Sequence, residues 1–315
     1  MSRAGKVVRY TVTAAVMLCV GYFFWQAFSQ NWASIRAMEL KPNYWLVALT
    51  FAVIPIGVLC STWAWHASMN GLARGAAHIG YAQSFATVNT SSLTKYVPGK
   101  IWAYALQMYW LGSLGFSKSL ILYVNFVNLG IALVVNMLLG MSCWLLATNR
   151  LYEVVAPCFA LLLALDAAFI LFSGRALDVL VGLLNRLLRR NIGYFRISPL
   201  LMLRLHAAHL LSAVTSGLAA LLICFALGYP VSLQLGVLVT ASSLISDVAG
   251  YLAFMVPGGL GVREGLMFAM LGGAASGPIA LVLPLAMRVV TMVSDVAIGA
   301  VALKLLPRQA TQAVS

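Results

Sequence analysis

Charged residues are scarce in this 315-residue sequence, and no long polar run interrupts it. Only 9% of the residues are charged, whereas 62% are hydrophobic. A soluble catalytic domain needs a continuous polar surface, and no segment here is long and polar enough to provide one. These properties predict an all-α polytopic membrane protein that forms a single transmembrane domain over residues 1–315.

Grouped cysteines and catalytic signatures are also missing. The sequence shows no nucleophile–base pair, no paired-carboxylate signature and no metal cluster, so we expect no enzyme activity, no metal site and no cofactor. Asp247 and Asp295 lack the Gly-x-Gly-Asp context of intramembrane aspartic proteases. Five cysteines lie singly in apolar segments, and we interpret them as buried apolar side chains: Cys19, Cys60, Cys143, Cys158 and Cys224.

Basic residues give the chain a net charge of +13 but form no basic domain that would bind nucleic acid. They lie at the ends of apolar runs, where they orient helices and meet anionic lipid head groups. Arg3, Lys6 and Arg9 precede an apolar run at residues 10–28. This run is either a signal peptide or a first span, and its length and aromatic content favour an uncleaved span with a cytoplasmic N-terminus.

Apolar runs predict about six full spans and two segments that contain a helix break. The full spans are residues 10–28, 44–65, 120–148, 154–172, 199–227 and 279–305, and the broken segments are residues 81–112 and 233–272.

The break in the second segment is the most distinctive feature of the sequence. Proline and glycine interrupt helices, so we predict that the helix ends near Val256 and restarts near Val262. In lipid, such a break persists only where protein or a water-filled cavity satisfies the backbone, and charge beside it indicates a functional site. The residues at this break are Pro257, Gly258, Gly259, Gly261, Arg263 and Glu264.

A similar break follows Lys95 and Tyr96, at Pro98, Gly99 and Lys100. When the sequence is shifted by 159 residues, the two Val-Pro-Gly motifs align, and 11 of 59 positions in residues 82–140 are identical. This correspondence predicts a duplicated unit, a broken hairpin followed by a long span, at about residues 81–148 and 233–305.

The distribution of basic residues predicts that both broken segments are re-entrant, entering and leaving the membrane on one side. The halves would then be an inverted repeat, as in alternating-access transporters. Both termini would be cytoplasmic. Only Arg36, Lys41 and Arg150 would then lie outside, against twelve cytoplasmic basic residues: Arg3, Lys6, Arg9, Arg74, Lys118, Arg175, Arg186, Arg189, Arg190, Arg196, Lys304 and Arg308.

Polar residues also recur at helical spacing beside the second break. Thr240, Ser243, Asp247 and Gly250 share one helix face, which we expect to line a cavity. A second such face, with a counterpart in the first half, either lines the substrate path or holds helices together. Its residues are Arg288, Thr291 and Asp295, and the counterparts are Asn125, Asn128 and Asn136.

Three further expectations concern individual side chains. We expect Arg263 and Glu264 to form an ion pair, and the free N–H groups after each break to bind a phosphate together with Lys100 and Arg263. Asp166 is expected to pair with Arg204. His206 and His209 are interpreted as interfacial. The predicted substrate path thus contains Lys95, Pro98, Gly99, Lys100, Asp247, Pro257, Gly258, Gly259, Gly261, Arg263, Glu264, Arg288 and Asp295.

Two motifs, KYVPGKIW at residues 95–102 and PGGLGVRE at residues 257–264, resemble the lysylphosphatidylglycerol synthase transmembrane-region family. The resemblance implies two inverted re-entrant hairpins that meet in the membrane and, as in characterised relatives, movement of lipid between leaflets. The resemblance also implies a bacterial inner membrane. We expect no aminoacyl-transferase domain after Leu306, so lysyl-lipid synthesis is not implied. Where relatives often have Gly-Arg after the first motif, this sequence has Leu106 and Gln107, so the resemblance leaves the head-group contacts of that half open.

The expected function is therefore translocation of a phosphate-headed or isoprenoid-type lipid, or of a lipid-linked intermediate. The sequence leaves two alternatives open, a membrane enzyme acting on a lipid-linked substrate and a scaffold subunit of lipid-linked glycan assembly. The expected partners are anionic or isoprenoid-type membrane lipids and no nucleic acid. Association with a second copy, or with proteins of glycan or lipid biosynthesis, is also left open.

Overall fold

The computed structural model describes residues 25, 29, 42–73, 78–96, 102–148, 152–172, 179, 182–183, 186, 195–253, 256–272 and 277–306. In these residues the chain forms helices and no strand. The helices are α1 (Tyr44–Leu72), α2 (Tyr81–Ser92), α3 (Trp102–Gly112), α4 (Lys118–Ala147), α5 (Tyr152–Leu171), α6 (Pro199–Ala226), α7 (Leu233–Leu252), α8 (Val262–Leu271) and α9 (Gly277–Lys304).

Six of these helices, α1, α4, α5, α6, α7 and α9, are long and apolar enough to cross a membrane. The chain is thus an all-helical, multi-pass membrane protein. Five of the six correspond to predicted full spans. The sixth is α7, which the sequence analysis placed in the second broken segment, while the predicted span at residues 10–28 lies almost entirely outside the described residues.

Capping side chains fix the starts of several long helices. Asn43 accepts hydrogen bonds from the backbone N–H groups of the second and third residues that follow it, at the start of α1. Ser117, Ser198 and Ser232 each accept one from the N–H three residues on, before α4, α6 and α7. Helix N-termini have unpaired N–H groups, and these oxygens satisfy part of that requirement.

The packing between the two halves of the chain is reciprocal. The long helix α4 packs on α7, and the long helix α9 packs on α2. Glycine permits close approach in both places. A Cβ at Gly140 would lie 2.7 Å from the Ile245 side chain, and one at Gly299 would lie 2.6 Å from the Leu93 side chain. Small residues at such contacts let membrane helices pack tightly.

Both broken segments contain a 3₁₀ turn between two helices. The first 3₁₀ turn, Leu93–Tyr96, follows α2, and the second, Pro257–Gly259, precedes α8. The two turns contact each other. The first residues of the long helices that follow, Lys118 and Gly277, are 159 residues apart in the sequence.

The restart of the second broken helix at Val262 agrees with the prediction, but its first arm ends at Leu252 rather than near Val256. Proline cannot donate a backbone hydrogen bond, and its ring clashes with the carbonyl four residues earlier. For Pro257 that residue is Ala253, which caps α7. The Ala253 carbonyl accepts a hydrogen bond from the Val256 N–H at 3.2 Å, so the chain has left the α-helix before it reaches the proline.

Candidate functional site

The backbone of the second break depends on its glycines. Gly258, Gly259 and Gly261 have φ values of 57°, 68° and 80°, in the left-handed region that other residues rarely adopt. A Cβ at Gly259 would lie 2.7 Å from the Cα of Gly250. The break therefore packs directly on the backbone of α7, and its position is fixed by that contact.

Glu264 is buried at the start of α8, where it caps its own helix. Its Oε2 accepts a hydrogen bond from the Gly261 N–H at 2.5 Å. This N–H is thus occupied, and the phosphate expected at the free N–H groups would have to displace a carboxylate. The predicted pair of Arg263 with Glu264 is wrong, since consecutive helix residues point about 100° apart.

Arg263 pairs instead with the neighbouring helix. Its Nε lies 2.5 Å from Oδ1 of Asp247 on α7. The other oxygen of Asp247, Oδ2, accepts a hydrogen bond from Ser216 on α6 at 3.4 Å. Because these groups come from three helices, the ion pair connects the second arm of the break to α7 and α6.

Arg288 extends from α9 to the break. Its Nη1 donates to the carbonyl oxygen of Gly258 at 3.0 Å, which satisfies a backbone group that the break leaves without a helical partner. Its Nε lies 3.5 Å from Oε1 of Glu264, an ion pair without hydrogen-bond geometry. Glycine at position 258 allows this approach, because a Cβ there would lie 2.8 Å from Nη2.

Tyr96 joins the first break to the second. Its hydroxyl donates to Oδ2 of Asp295 on α9, and Nζ of Lys95 lies 2.7 Å from the same oxygen. Its ring centroid lies 5.8 Å from Cζ of Arg288, within the range of a cation–π contact. These contacts attach the first 3₁₀ turn to α9, and the Tyr96 ring also lies beside the second break, since a Cβ at Gly258 would be 3.4 Å from its Cδ1.

We call the six charged side chains of this region the central ion cluster. It holds three basic and three acidic groups, in the pairs Lys95–Asp295, Arg263–Asp247 and Arg288–Glu264. The structure thus brings the predicted charged residues together beside Pro257, Gly258, Gly259 and Gly261. The predicted site residues Pro98, Gly99 and Lys100 lie outside the residues that the structure describes.

The polar face of α7 packs against protein rather than lining the expected cavity. Thr240 contacts Gly217 of α6, and Gly250 lies beside the Arg263 side chain. Ser243 is 1% exposed. The prediction failed because small polar residues serve helix packing in membranes as well as they serve a polar path.

Gln107 is a buried polar residue whose role the sequence analysis did not predict. Its Nε2 donates to Ser91 Oγ at 2.8 Å, and its Oε1 accepts from Asn125 Nδ2 at 2.7 Å. It therefore joins α3 to α2 and α4. The usable signal was an amide within an otherwise apolar, aromatic-rich helix.

Asp166 lies apart from the central ion cluster, and its partner is His206 rather than Arg204. Its Oδ1 is 3.1 Å from Nε2 of His206, whereas Arg204 is exposed. His206 lies two positions after Arg204 in the helix, which turns the two side chains about 200° apart. His206 and His209 are 8% and 6% exposed, and their Nε2 atoms lie 3.1 Å from side-chain oxygens of Asp166 and Asn128, so both rings are buried among protein groups, and their interfacial position stays a prediction.

Comparisons with known proteins do not assign the chain to a family. No protein-family model matches it, and no curated protein matches it significantly. Within the described residues, no three His, Cys, Asp or Glu side chains are grouped so that they could hold a metal ion. The arrangement at the breaks offers ion pairs, backbone carbonyls and hydroxyls, which are groups that can bind a polar ligand.

Proposed function

We propose that this protein moves a lipid, or a lipid-linked intermediate, between the two leaflets of a bacterial inner membrane. The observation that carries the proposal is the central ion cluster, placed where two broken helices touch inside a multi-pass membrane protein. A polar head group crosses the apolar core only if protein groups replace its water. The cluster provides such groups, and the acyl chains stay in the surrounding bilayer.

The reciprocal packing of α4 on α7 and of α9 on α2 supports an inverted repeat. Inverted repeats with discontinuous helices place the substrate site near the bilayer midplane, and alternating access moves one repeat against the other. In this proposal both broken segments are re-entrant and open to opposite sides. The two motifs that resemble the lysylphosphatidylglycerol synthase transmembrane-region family give the same expectation.

The proposal is tested by reconstituting the purified protein in liposomes with fluorescent phospholipids. We expect lipid in the inner leaflet to become accessible to an external quencher, and we expect this scrambling to fall in the Glu264→Gln variant. Chemical conversion of a lipid-linked substrate, without scrambling, would point to a membrane enzyme. Neither activity in a folded, reconstituted protein would favour a scaffold role.

The proposed topology has its own test, in intact cells with a membrane-impermeant thiol reagent. The native cysteines are first replaced, and single cysteines are introduced as Asn185→Cys and Asn149→Cys. We expect Asn149→Cys to react in intact cells, and Asn185→Cys to react only after permeabilisation. Labelling of Asn185→Cys in intact cells would contradict the re-entrant topology and the inverted relation of the two halves.

A further inference from the structure

One edge of the Arg288 guanidinium has no hydrogen-bond acceptor among the residues that the structure describes. Nη1 donates to the break, but Nε and Nη2, which form the edge that binds oxyanions in a bidentate manner, have no hydrogen-bond partner there. The side chain is 10% exposed. Buried donors are almost always paired in proteins, so an unpaired edge on a buried arginine needs a reason.

The other two cations of the central ion cluster are not in this position. Lys95 and Arg263 each have a carboxylate oxygen within 2.7 Å. Glu264 does not fill the edge of Arg288, because its Oε2 is bound to the Gly261 N–H and its Oε1 is 3.5 Å from Nε. Arg288 is therefore the cation of the cluster whose donors are available to an anionic ligand.

An acceptor without a hydrogen bond lies beside these donors. Oε1 of Glu264 is buried and accepts no hydrogen bond from the described part of the chain. A ligand that brings an oxyanion to Nε and Nη2 of Arg288 and a donor to Oε1 would satisfy all three atoms. A diphosphate has no such donor, and its additional negative charge would lie against a carboxylate.

The charge balance of the central ion cluster further limits which head groups the site can accept. The cluster contains three basic and three acidic side chains, so a head group without net charge leaves it balanced. We infer that the site selects a zwitterionic phosphodiester head group with an N–H donor, its phosphate on Arg288 and its ammonium on Glu264. This inference rests on the proposed function, and it names the head group that the translocator would accept.

The test compares phosphatidylethanolamine with phosphatidylcholine, which has the same phosphate and charge but no N–H donor. Binding to the purified full-length protein is measured in micelles by native mass spectrometry, with identical acyl chains. A charge-assisted hydrogen bond contributes about 1.5–3 kcal/mol, so we expect phosphatidylethanolamine to bind at least about tenfold more tightly. Both lipids are titrated into one preparation, so the affinity ratio does not depend on the folded fraction.

Two variants separate the two contacts. Arg288→Lys should weaken the binding of both lipids by about tenfold, since lysine cannot form the bidentate contact with the phosphate. The ratio of the two affinities should stay the same. Glu264→Gln should bring the ratio close to one. Arg204→Gln, an exposed arginine outside the cluster, is the matched control and should change neither lipid.

Three results would overturn the inference. The first is equal affinity for the two lipids, and the second is an affinity ratio that Glu264→Gln does not change. The third is tighter binding of an isoprenyl diphosphate than of phosphatidylethanolamine. The binding assay needs no translocation. Selective binding without scrambling in liposomes would therefore contradict the proposed function while the head-group assignment stands. Scrambling without head-group selectivity would support the proposed function and contradict the head-group assignment.

Discussion

The two broken segments have the same order of elements but are held together by different chemistry. In the first, the neutral amide of Gln107 connects Ser91 and Asn125. In the second, ion pairs connect the arms to each other and to α9. The positions 159 residues before Asp247, Arg263, Glu264 and Arg288 hold the uncharged residues Val88, Tyr104, Ala105 and Leu129.

This difference indicates a division of labour between the two breaks. Neutral hydrogen bonds hold helices together at little desolvation cost, whereas charges in a membrane are expensive and are usually retained for function. The first break contributes Lys95 and Tyr96 to Asp295, which places it against the second. We therefore expect a substitution of the Gln107 amide to affect stability, and substitutions that remove a cluster charge but keep the side-chain shape to affect transport.

The largest effect is expected from Asp247→Leu, which leaves Arg263 buried without its partner. Breaking a buried ion pair in this way costs about 3–5 kcal/mol. At the corresponding position of the first half, Val88→Ala should cost only about 1–2 kcal/mol. Unfolding of both variants by denaturing detergent in mixed micelles measures the difference.

The double variant Asp247→Leu with Arg263→Met serves as the control for Asp247→Leu. Replacing both partners by apolar residues removes the uncompensated charge, so most of the lost stability should return. If Asp247→Leu unfolds no more easily than Val88→Ala, the ion pair does not stabilise the second break, and the contrast between the breaks is wrong.

The next effect is on transport rather than folding. Glu264→Gln keeps an oxygen that can accept from the Gly261 N–H, but it removes the charge beside Arg288. Asp247→Asn similarly keeps its shape beside Arg263. We expect both variants to lose about tenfold or more in scrambling rate while their size-exclusion yield stays near wild type. Normal scrambling by both would place the site elsewhere in the protein.

Gln107→Leu should show the opposite pattern. The change removes one hydrogen bond each from Ser91 and Asn125, which keep bonds to backbone carbonyls. We expect a loss of about 1–2 kcal/mol in stability. Scrambling per folded molecule should be unchanged, and a large fall in that rate at normal stability would assign transport chemistry to the first break as well.

Much of the fold was predictable because an apolar run of about 20 residues is a strong signal for a membrane helix. Five predicted spans correspond to α1, α4, α5, α6 and α9. The end of α7 was misplaced, since the sequence shows the position of Pro257 but not that the helix already ends at Leu252. Capping serines before three helices were visible in the sequence and set their starts.

The candidate site was predictable as a set of residues but not as a set of pairs. Charges within apolar sequence are rare enough to be recognised individually. Their partners depend on which helices meet, and Lys95 and Asp295 are too far apart in the chain for spacing to connect them. Tyr96 was missed as a site residue because a tyrosine in an apolar segment is common.

The smallest effect is expected from Asp166→Asn. Asparagine can still accept a hydrogen bond from His206, so we expect a loss of at most about 1 kcal/mol and no change in scrambling. A double-mutant cycle in micelles identifies the partner: Asp166→Asn should couple to His206→Gln and not to Arg204→Gln. Coupling to Arg204→Gln would instead support the pair of Asp166 with Arg204 that the sequence analysis expected.

The last helix, α9, carries Arg288 and Asp295, and its partners for both lie on earlier segments of the chain. Each charge at the centre of a membrane helix adds about 2.5–3.5 kcal/mol to the cost of insertion. During synthesis, Lys95 and Glu264 are therefore without their ion-pair partners, Asp295 and Arg288, until α9 has been inserted. A chain that stops before α9 keeps these charges without their ion-pair partners, so we expect it to be less stable than the complete chain.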